Sequence, residues 1–236
     1  MSTGDRRVDA GLPALLVVGA GGRLGRILTA EALGRGHHVR AVVHRVDPLP
    51  RHPRLEVVHG DVHAPRTLED HVADADAVLV ALGSAHARRP DVSGTGARVI
   101  CRLMSENGPS RLVTVTGSGA RLPGEHVGPS HAVKRDQMRH GAPDLLADGD
   151  AHLAVLAGCE VEWTTGRVPV LTLGGEAGGT ARPHEAPPPA ATVPYRAAAA
   201  TMLDLVVAGA WLRRAPFLAA WPPPSHDSLS RGLPPA

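Results

Sequence analysis

Three glycines spaced three residues apart, Gly19, Gly22 and Gly25, follow the apolar run ALLVV and precede an amphipathic stretch. At a strand-to-helix junction, the first glycine of such a turn permits a tight bend and the second leaves room for a pyrophosphate. The third lets the helix pack closely on the sheet, and the start of the helix presents free N–H groups to the phosphates. The spacing predicts a dinucleotide site, although the glycines could also serve the turn alone.

The residues at the end of the second predicted strand, VVHR, bear on the choice of nucleotide. An NAD-binding domain usually offers a carboxylate to the adenosine ribose, whereas an NADP-binding domain offers arginine to the 2′-phosphate. Arg45, with Arg23 in the glycine turn and His44, predicts a phosphate clamp. The sequence therefore favours NADP(H) over NAD(H). The alternatives are that these cations are solvated loop residues and that Asp47 serves a ribose.

Strands and helices that could position these residues alternate along the chain. Strands are predicted at 14–19, 39–43, 55–58, 77–82, 111–116 and 161–166, and helices at 22–34, 66–74, 92–107, 144–157 and 195–209. Several of the strands are nearly continuous apolar runs, which is typical of parallel strands buried on both faces. The alternation predicts an α/β fold, a Rossmann-like doubly wound parallel sheet in a single domain.

Composition sets the expected limits of that domain. Residues 1–11 are predicted to be a flexible N-terminus, residues 12–218 the NAD(P)-binding domain, and the Pro-rich residues 219–236 a disordered tail. Residues 174–192 are too rich in Gly and Pro for a regular element and are predicted to form a long loop. Residues 121–143 are expected to overhang the carboxyl ends of the strands, where ligands bind in such sheets.

Charge and cysteine content narrow the expected partners. The chain has 25 basic and 23 acidic side chains without a charged block, so we expect neither nucleic acid nor a membrane surface as partner. Cys101 and Cys159 lie in apolar surroundings and are predicted to be buried free thiols in a reducing cytoplasm. Paired His or Cys spacing is absent from the sequence, so no metal site is expected. We expect a monomer or homodimer that binds a small molecule.

The chain resembles the atypical short-chain dehydrogenase/reductase superfamily, in particular its NAD(P)H-binding branch of biliverdin reductase B-like and NmrA-like proteins. The resemblance covers about residues 14–215 and rests on the motifs GAGGRLGR, HVRAVVHR, VVHGDV, ADAVLVALGS, RLVTVTGSGA and EVEWTTGRVP. It implies that Asp61 lies near the adenine and that Ala81–Gly83 line the adenine ribose and pyrophosphate. It also implies that Thr116–Gly119 border the nicotinamide. Asp61 could instead cap a turn, and Ala81–Gly83 could simply pack.

The motifs and the resemblance together give a set of expected cofactor contacts. They are Gly19, Gly22, Arg23, Leu24, Gly25, His44, Arg45, Asp61, Val62, Ala81, Leu82, Gly83, Thr116, Val168 and Pro169.

The catalytic residues depart from the pattern of ordinary short-chain dehydrogenases. Those enzymes use a Tyr and a Lys four residues apart, in which the lysine lowers the pKa of the tyrosine. The chain has one tyrosine, Tyr195, and one lysine, Lys134, and they cannot form that pair. The biliverdin reductase B-like branch also lacks the pair, but the serine it uses at the fifth strand corresponds here to Gly117. The Ser and Asp that it often carries before its last helix are replaced by VPYRAAAA.

The remaining proton donors near the expected cleft are Ser118, Thr116, His126, His131, Lys134 and His152. Of these, Ser118, Thr116 and His131 are the candidate catalytic residues. The sequence favours an NAD(P)H-dependent oxidoreductase that reduces a quinone, a carbonyl or a conjugated small molecule. A non-catalytic NADP-sensing regulator of NmrA type and a non-redox epimerase or cyclase on the same fold remain open.

Overall fold

The computed structural model describes residues 12–45, 49–84, 89–174, 180–184 and 192–221, with 180–184 and 219–221 described by their backbone. The N-terminus predicted over 1–11, Asp47 and the tail beyond residue 221 lie outside the described residues. No helix of the described ranges is long and apolar enough to cross a bilayer.

The described elements follow the predicted alternation and add to it. The strands are β1 Leu15–Val18, β2 Val39–Val43, β3 Leu55–His59, β4 Ala77–Val80, β5 Arg111–Gly117, β6 Glu162–Val168, β7 Val170–Thr172, β8 Thr180–His184, β9 Thr192–Pro194 and β10 Phe217–Trp221. The helices are α1 Arg23–Gly34, α2 Glu69–Ala73, α3 Val92–Asn107, α4 Pro129–Gly141, α5 Pro143–Ala157 and α6 Tyr195–Ala208, and a 3₁₀ turn at Pro65–Thr67 precedes α2.

The central sheet has the strand order β3-β2-β1-β4-β5-β6-β10-β8. Neighbouring strands from β3 to β10 are parallel, and β8 runs antiparallel to β10 at the edge. Strand order reverses at β1, which pairs with β2 on one side and β4 on the other. Ligands bind in such sheets outside the carboxyl ends of the strands at this switch point. The predicted Rossmann-like single domain is confirmed.

Both faces of the sheet are covered by helices, which explains the nearly continuous apolar strands. Leu15 belongs to the same core cluster as Leu28 of α1 and Met202 of α6. Its neighbour Leu16 points to the opposite face and belongs to the cluster that contains Ile100 of α3 and Trp163 of β6. Alternate residues of β1 therefore bury against different helical layers, which is why this strand is apolar on both faces.

The prediction that residues 174–192 contain no regular element was wrong. Residues 180–184 form β8, which pairs with β10, and β9 begins at Thr192 and pairs in parallel with β7. Pro183 is tolerated because β8 is an edge strand, where a residue without an N–H is permitted. The boundary predicted at 218 also needs correction, because β10 continues to Trp221. Local Gly and Pro content could not show that distant partner strands were available.

Candidate functional site

The glycine turn between β1 and α1 leaves no space for side chains at two of its positions. Gly19 has a φ of +85°, and a Cβ there would lie 2.9 Å from the carbonyl oxygen of Ala81. A Cβ on Gly25 would collide with the carbonyl oxygen of Gly19. Gly22 is the N-cap of α1, whose first turn contains no acidic residue. The turn therefore brings the backbone of α1 close to β1 and β4 and leaves the positive end of the helix dipole open.

A cleft of about 650 Å³ opens from this turn over the carboxyl ends of the parallel strands. Its inner half is formed by the turn and the strand ends: Gly22, Arg23, Leu24, Ala81, Leu82, Gly83, Ser84, Val115, Thr116, Gly117, Ser118, Val168 and Pro169. Its outer half is formed by the helices and the short second sheet: Ser93, Lys134, Met138, Ala142, Leu145, Asp148, Gly149, Val170, Leu171 and Tyr195.

A second, smaller cavity of about 70 Å³ lies on the β2 side of the glycine turn. Gly19, His44, Asp61 and Val62 are among its lining residues. The imidazole Nε2 of His44 lies 3.3 Å from Asp61 Oδ2, and the other carboxylate oxygen, Oδ1, accepts a hydrogen bond from the backbone N–H of His63. Partial burial raises the pKa of Asp61, but these hydrogen-bond and charge interactions together bring it below its ordinary value.

Two of the expected cofactor contacts lie outside both cavities. Arg45 is exposed at the end of β2, immediately after the strand, and lines neither cavity. Gly25 lies behind the turn, where α1 packs against Gly19. The other expected contacts line one cavity or the other. The structure therefore brings together residues from five separate strand ends and the turn.

The hydroxyl groups at the end of β5 lie under the cleft. Thr116 is buried, and its Oγ1 would lie 3.1 Å from a Cβ on Gly149. Ser118 lies two residues after Thr116, and the backbone N–H of Ser118 donates to the carbonyl of Val168 at 2.7 Å. Gly149 thus allows α5 to approach the strand end, and the hydrogen bond holds the β5 and β6 ends together. Both candidate hydroxyl residues line the cleft.

His131 needs a correction, because the structure does not bring it into the cleft. Its side chain is 2% exposed, its Nε2 lies 3.3 Å from the carbonyl oxygen of Gly119, and its ring packs edge-on against Phe217. Burial lowers its pKa despite the hydrogen bond to Gly119. Helix α4 was not predicted from the sequence. His131 lies in its first turn, and the helix directs the side chain into the interior beside Gly119, just beyond β5.

Asp148 is a cleft residue that the sequence reasoning missed. It lies on α5 and is 5% exposed, and its two carboxylate oxygens accept the backbone N–H groups of Ser93 at 3.1 Å and Gly94 at 2.7 Å. These groups belong to the first turn of α3, where N–H groups lack partners within the helix. The carboxylate therefore neutralises the start of α3 at the wall of the cleft. The available signal was an acidic residue on the apolar side of the stretch LLADGDAHLAVL, which contains Asp148 and Asp150.

Tyr195 is a second missed residue, and the short sheet explains its position. The parallel pairing of β9 with β7 carries the start of α6 over the β6 end, so Tyr195 lines the cleft although it is 27 residues beyond Val168. The guanidinium carbon of Arg23 lies 5.7 Å from the centre of its ring, a cation–π distance. This contact joins the glycine turn to the outer half of the cleft.

His152 lies in the core below the cleft. Its Nε2 is 2.9 Å from Thr114 Oγ1, which is 2.7 Å from Thr165 Oγ1. Its Nδ1 is buried without a partner among the described residues. Burial lowers its pKa to about 4, and the charge of Asp148 opposes that effect. The ring is therefore neutral near pH 7, and its role is to connect α5 to the strands.

A family described as NAD(P)H-binding matches residues 19–208. The chain belongs to this NAD(P)H-binding family. The match runs from the glycine turn to the end of α6 and so includes nearly every element that lines the cleft. It confirms the NAD(P)H-binding domain that the resemblance implied.

Solved structures of low sequence identity share the fold. A short-chain dehydrogenase/reductase from Veillonella parvula in complex with NADP is 20% identical, with a TM-score of 0.71 over 91% of this chain and 100% of that chain. ChuY, an anaerobilin reductase from Escherichia coli O157:H7, is 18% identical, with a TM-score of 0.69 over 94% of this chain and 100% of that chain.

A curated relative matches a shorter segment. The 3-beta-hydroxysteroid dehydrogenase of Mycolicibacterium neoaurum is 36% identical over 76 residues. That segment is 32% of this chain, and the chain covers 21% of the relative's length.

Proposed function

We propose that this protein is an NADPH-dependent oxidoreductase that reduces a quinone, a carbonyl or a conjugated small molecule. The observation that carries the proposal is the continuity between the glycine turn and the cleft. Gly22 and Arg23 line the same cavity as Thr116 and Ser118, so one extended ligand can reach both. A dinucleotide has the required form, because its pyrophosphate suits the start of α1 and its nicotinamide the strand ends.

The residues of the turn fit a bound nucleotide. Gly22 has no side chain at the start of α1, and the first turn of this helix carries no acidic residue to repel phosphate. Asp61 and Val62 would lie beside the adenine, and Ala81–Gly83 beside the ribose and pyrophosphate. For NADP(H) over NAD(H), the support is the sequence pattern: Arg45 and His44 directly follow β2, where an NADP-binding domain offers cations to the 2′-phosphate, and Arg23 lies in the glycine turn.

The chain's own residues would orient the acceptor and supply protons. Bound NADPH supplies the hydride, and this chemistry belongs to the cofactor. Thr116 and Ser118 present hydroxyl groups at the end of β5, and Val168 and Pro169 continue the lining at the adjacent end of β6. Tyr195 has alanine four residues later, so it lacks the lysine partner of ordinary short-chain dehydrogenases. An acceptor whose reduced form is stabilised by delocalisation suits this site, since it does not require a strong acid beside it.

A non-catalytic sensor of NADP(H) is the second candidate, and the missing Tyr–Lys pair favours it. Steady-state oxidation of NADPH with a panel of quinones, flavins and carbonyls separates the two functions. We expect saturable turnover with at least one conjugated acceptor.

Gly22→Asp should abolish this turnover, because a carboxylate would stand where the pyrophosphate binds. Gly34→Asp is the matched control, because Gly34 has open space around it and lies at the far end of α1. Tight nucleotide binding without turnover of any acceptor would favour the sensor.

A further inference from the structure

Lys134 is unusual because the rest of the chain uses arginine for its basic side chains. Of the 25 residues that are lysine or arginine, Lys134 alone is lysine. It lines the outer half of the cleft. The two side chains differ chemically, because the lysine ammonium is a compact point charge on a flexible stem, whereas the guanidinium is a broad planar fork. The cleft therefore carries a compact cation in a chain that otherwise uses arginine.

The surroundings of Lys134 are mostly apolar. It lies on α4 one helical turn before Met138, and the two residues line the cleft together with Leu145 of α5 and with Val170 and Leu171 of β7. Val170 is 56% exposed, a large apolar side chain left facing solvent. A surface of this kind fits the apolar body of a ligand.

The charge of Lys134 has no counter-ion within the part of the chain that the structure describes. It forms no ion pair or hydrogen bond with the described side chains around it. The other two charged residues of the cleft are occupied elsewhere. Asp148 accepts two N–H groups at the start of α3, and Arg23 lies over the ring of Tyr195. A cation beside apolar side chains is stabilised when a ligand supplies the opposite charge.

We propose that Lys134 binds a carboxylate of the substrate, so that the natural acceptor is an amphiphile with an apolar conjugated body and an anionic group. This inference rests on the proposed function in placing the acceptor, rather than the nucleotide, in the outer half of the cleft. The apolar body lies against Met138, Leu145 and Leu171, and the carboxylate lies against the ammonium of Lys134.

Calorimetric titration of the protein saturated with NADP⁺ tests this pairing without requiring turnover. The probes are 2-naphthylacetate and 2-naphthylacetamide, which share an apolar body and differ in charge. We expect the acid to bind at least about 10-fold more tightly than the amide, since a hydrogen bond to a charged group contributes about that much. Lys134→Met should remove this preference and leave the affinity for the amide unchanged, whereas Lys134→Arg should retain most of it.

The control variant is Arg139→Met, which removes one positive charge from the exposed side of the same helix, where Arg139 pairs with Asp136. It should not alter the preference. Equal affinities for acid and amide in the wild type, or no binding of the acid, would overturn the proposal. So would a loss of NADP⁺ affinity in Lys134→Met as large as the loss for the acid, because Lys134 would then bind nucleotide phosphate.

The outcome for Lys134 is separable from the outcome for the oxidoreductase activity. If the acid preference depends on Lys134 but no acceptor oxidises NADPH, the proposed function fails and the anion site stands. If NADPH reduces a carboxylated quinone and its methyl ester equally well, and Lys134→Met changes neither rate, the activity stands and the anion site fails.

Discussion

The two halves of the cleft are built in different ways. The inner half is formed by the glycine turn and by residues at the carboxyl ends of β4, β5 and β6 or just beyond them, where backbone geometry determines the position of each residue. The outer half is formed by residues of α3, α4, α5, β7 and α6, brought together by packing. The inner half therefore depends on short stretches of sequence with strict steric requirements. The outer half depends on contacts between distant elements and can vary while the fold persists, which leaves substrate choice free to diverge.

The largest effect, on the free energy of unfolding, is expected from placing a side chain in the tightly packed glycine turn of the inner half. Gly25→Ala should destabilise the fold by about 3 kcal/mol or more, because the added Cβ collides with the backbone oxygen of Gly19, which cannot move without displacing the turn. Denaturant unfolding measures this free energy. Gly34→Ala, in open space near the end of the same helix, should change it by no more than about 1 kcal/mol, in the stabilising direction. Equal stability of the two variants would show that the turn is not sterically constrained.

The next largest effect concerns the core beneath the outer half. The pKa of His152 is about 4 in the fold against 6.5 ordinarily, so the unfolded chain takes up the proton first as the pH falls. This histidine should therefore cost up to about 3 kcal/mol of stability as the pH falls from 6.5 to 4, and no more below that.

Unfolding free energies measured across this pH range check the effect of His152. His152→Gln should flatten the dependence. His140→Gln, at an exposed position of α4, should leave the slope as in the wild type. An unchanged slope in His152→Gln would contradict the burial of a neutral imidazole.

A smaller effect, on kcat, is expected at Ser118, where the inner half of the cleft meets the outer half. Ser118→Ala should lower kcat by about 100-fold if its hydroxyl delivers the proton to the acceptor. His131→Gln should leave kcat unchanged per folded molecule, since His131 is buried behind the β5 end. Steady-state kinetics on both variants, with folded protein quantified by nucleotide titration, measure the contrast. A greater loss of kcat in His131→Gln would require this histidine to reach the substrate.

The smallest effect is expected at the exposed edge of the nucleotide half. Arg45→Ala should weaken NADPH binding by about 10-fold through loss of a charge-assisted phosphate contact, and leave NADH binding unchanged. Calorimetric titration with both nucleotides measures the difference. Arg51→Ala, an exposed arginine elsewhere in the β2–β3 connection, is the matched control. If wild type binds NADPH and NADH equally, Arg45 is not a selectivity residue.

The sequence predicted the inner half because its signals are local. Gly19 and Gly25 are glycines because a Cβ at either position would clash with the backbone, and their spacing is typical of such a turn. Each buried strand is one short apolar run. The outer half had no such signal. Pro129 begins α4 in a stretch whose Gly and Pro content resembles a loop, and Pro183 lies in a strand that exists because β10 is available to pair with it. Tyr195 reaches the cleft through the pairing of β9 with β7, which joins segments about 20 residues apart.

Following the transferred hydrogen shows whether the protein passes a hydride from NADPH to an acceptor. NADPH deuterated at the nicotinamide carbon that carries the transferable hydrogen should be incubated with the protein and a conjugated carbonyl acceptor, and the product examined by mass spectrometry. A carbonyl acceptor reduced at carbon retains the label, whereas a hydroquinone would exchange it with solvent. We expect one deuterium in the product with the wild type and no labelled product with Gly22→Asp. Saturable binding of the deuterated nucleotide, with no deuterium in any acceptor that is reduced at carbon and no oxidation of the nucleotide by quinones, would contradict the assignment as an oxidoreductase.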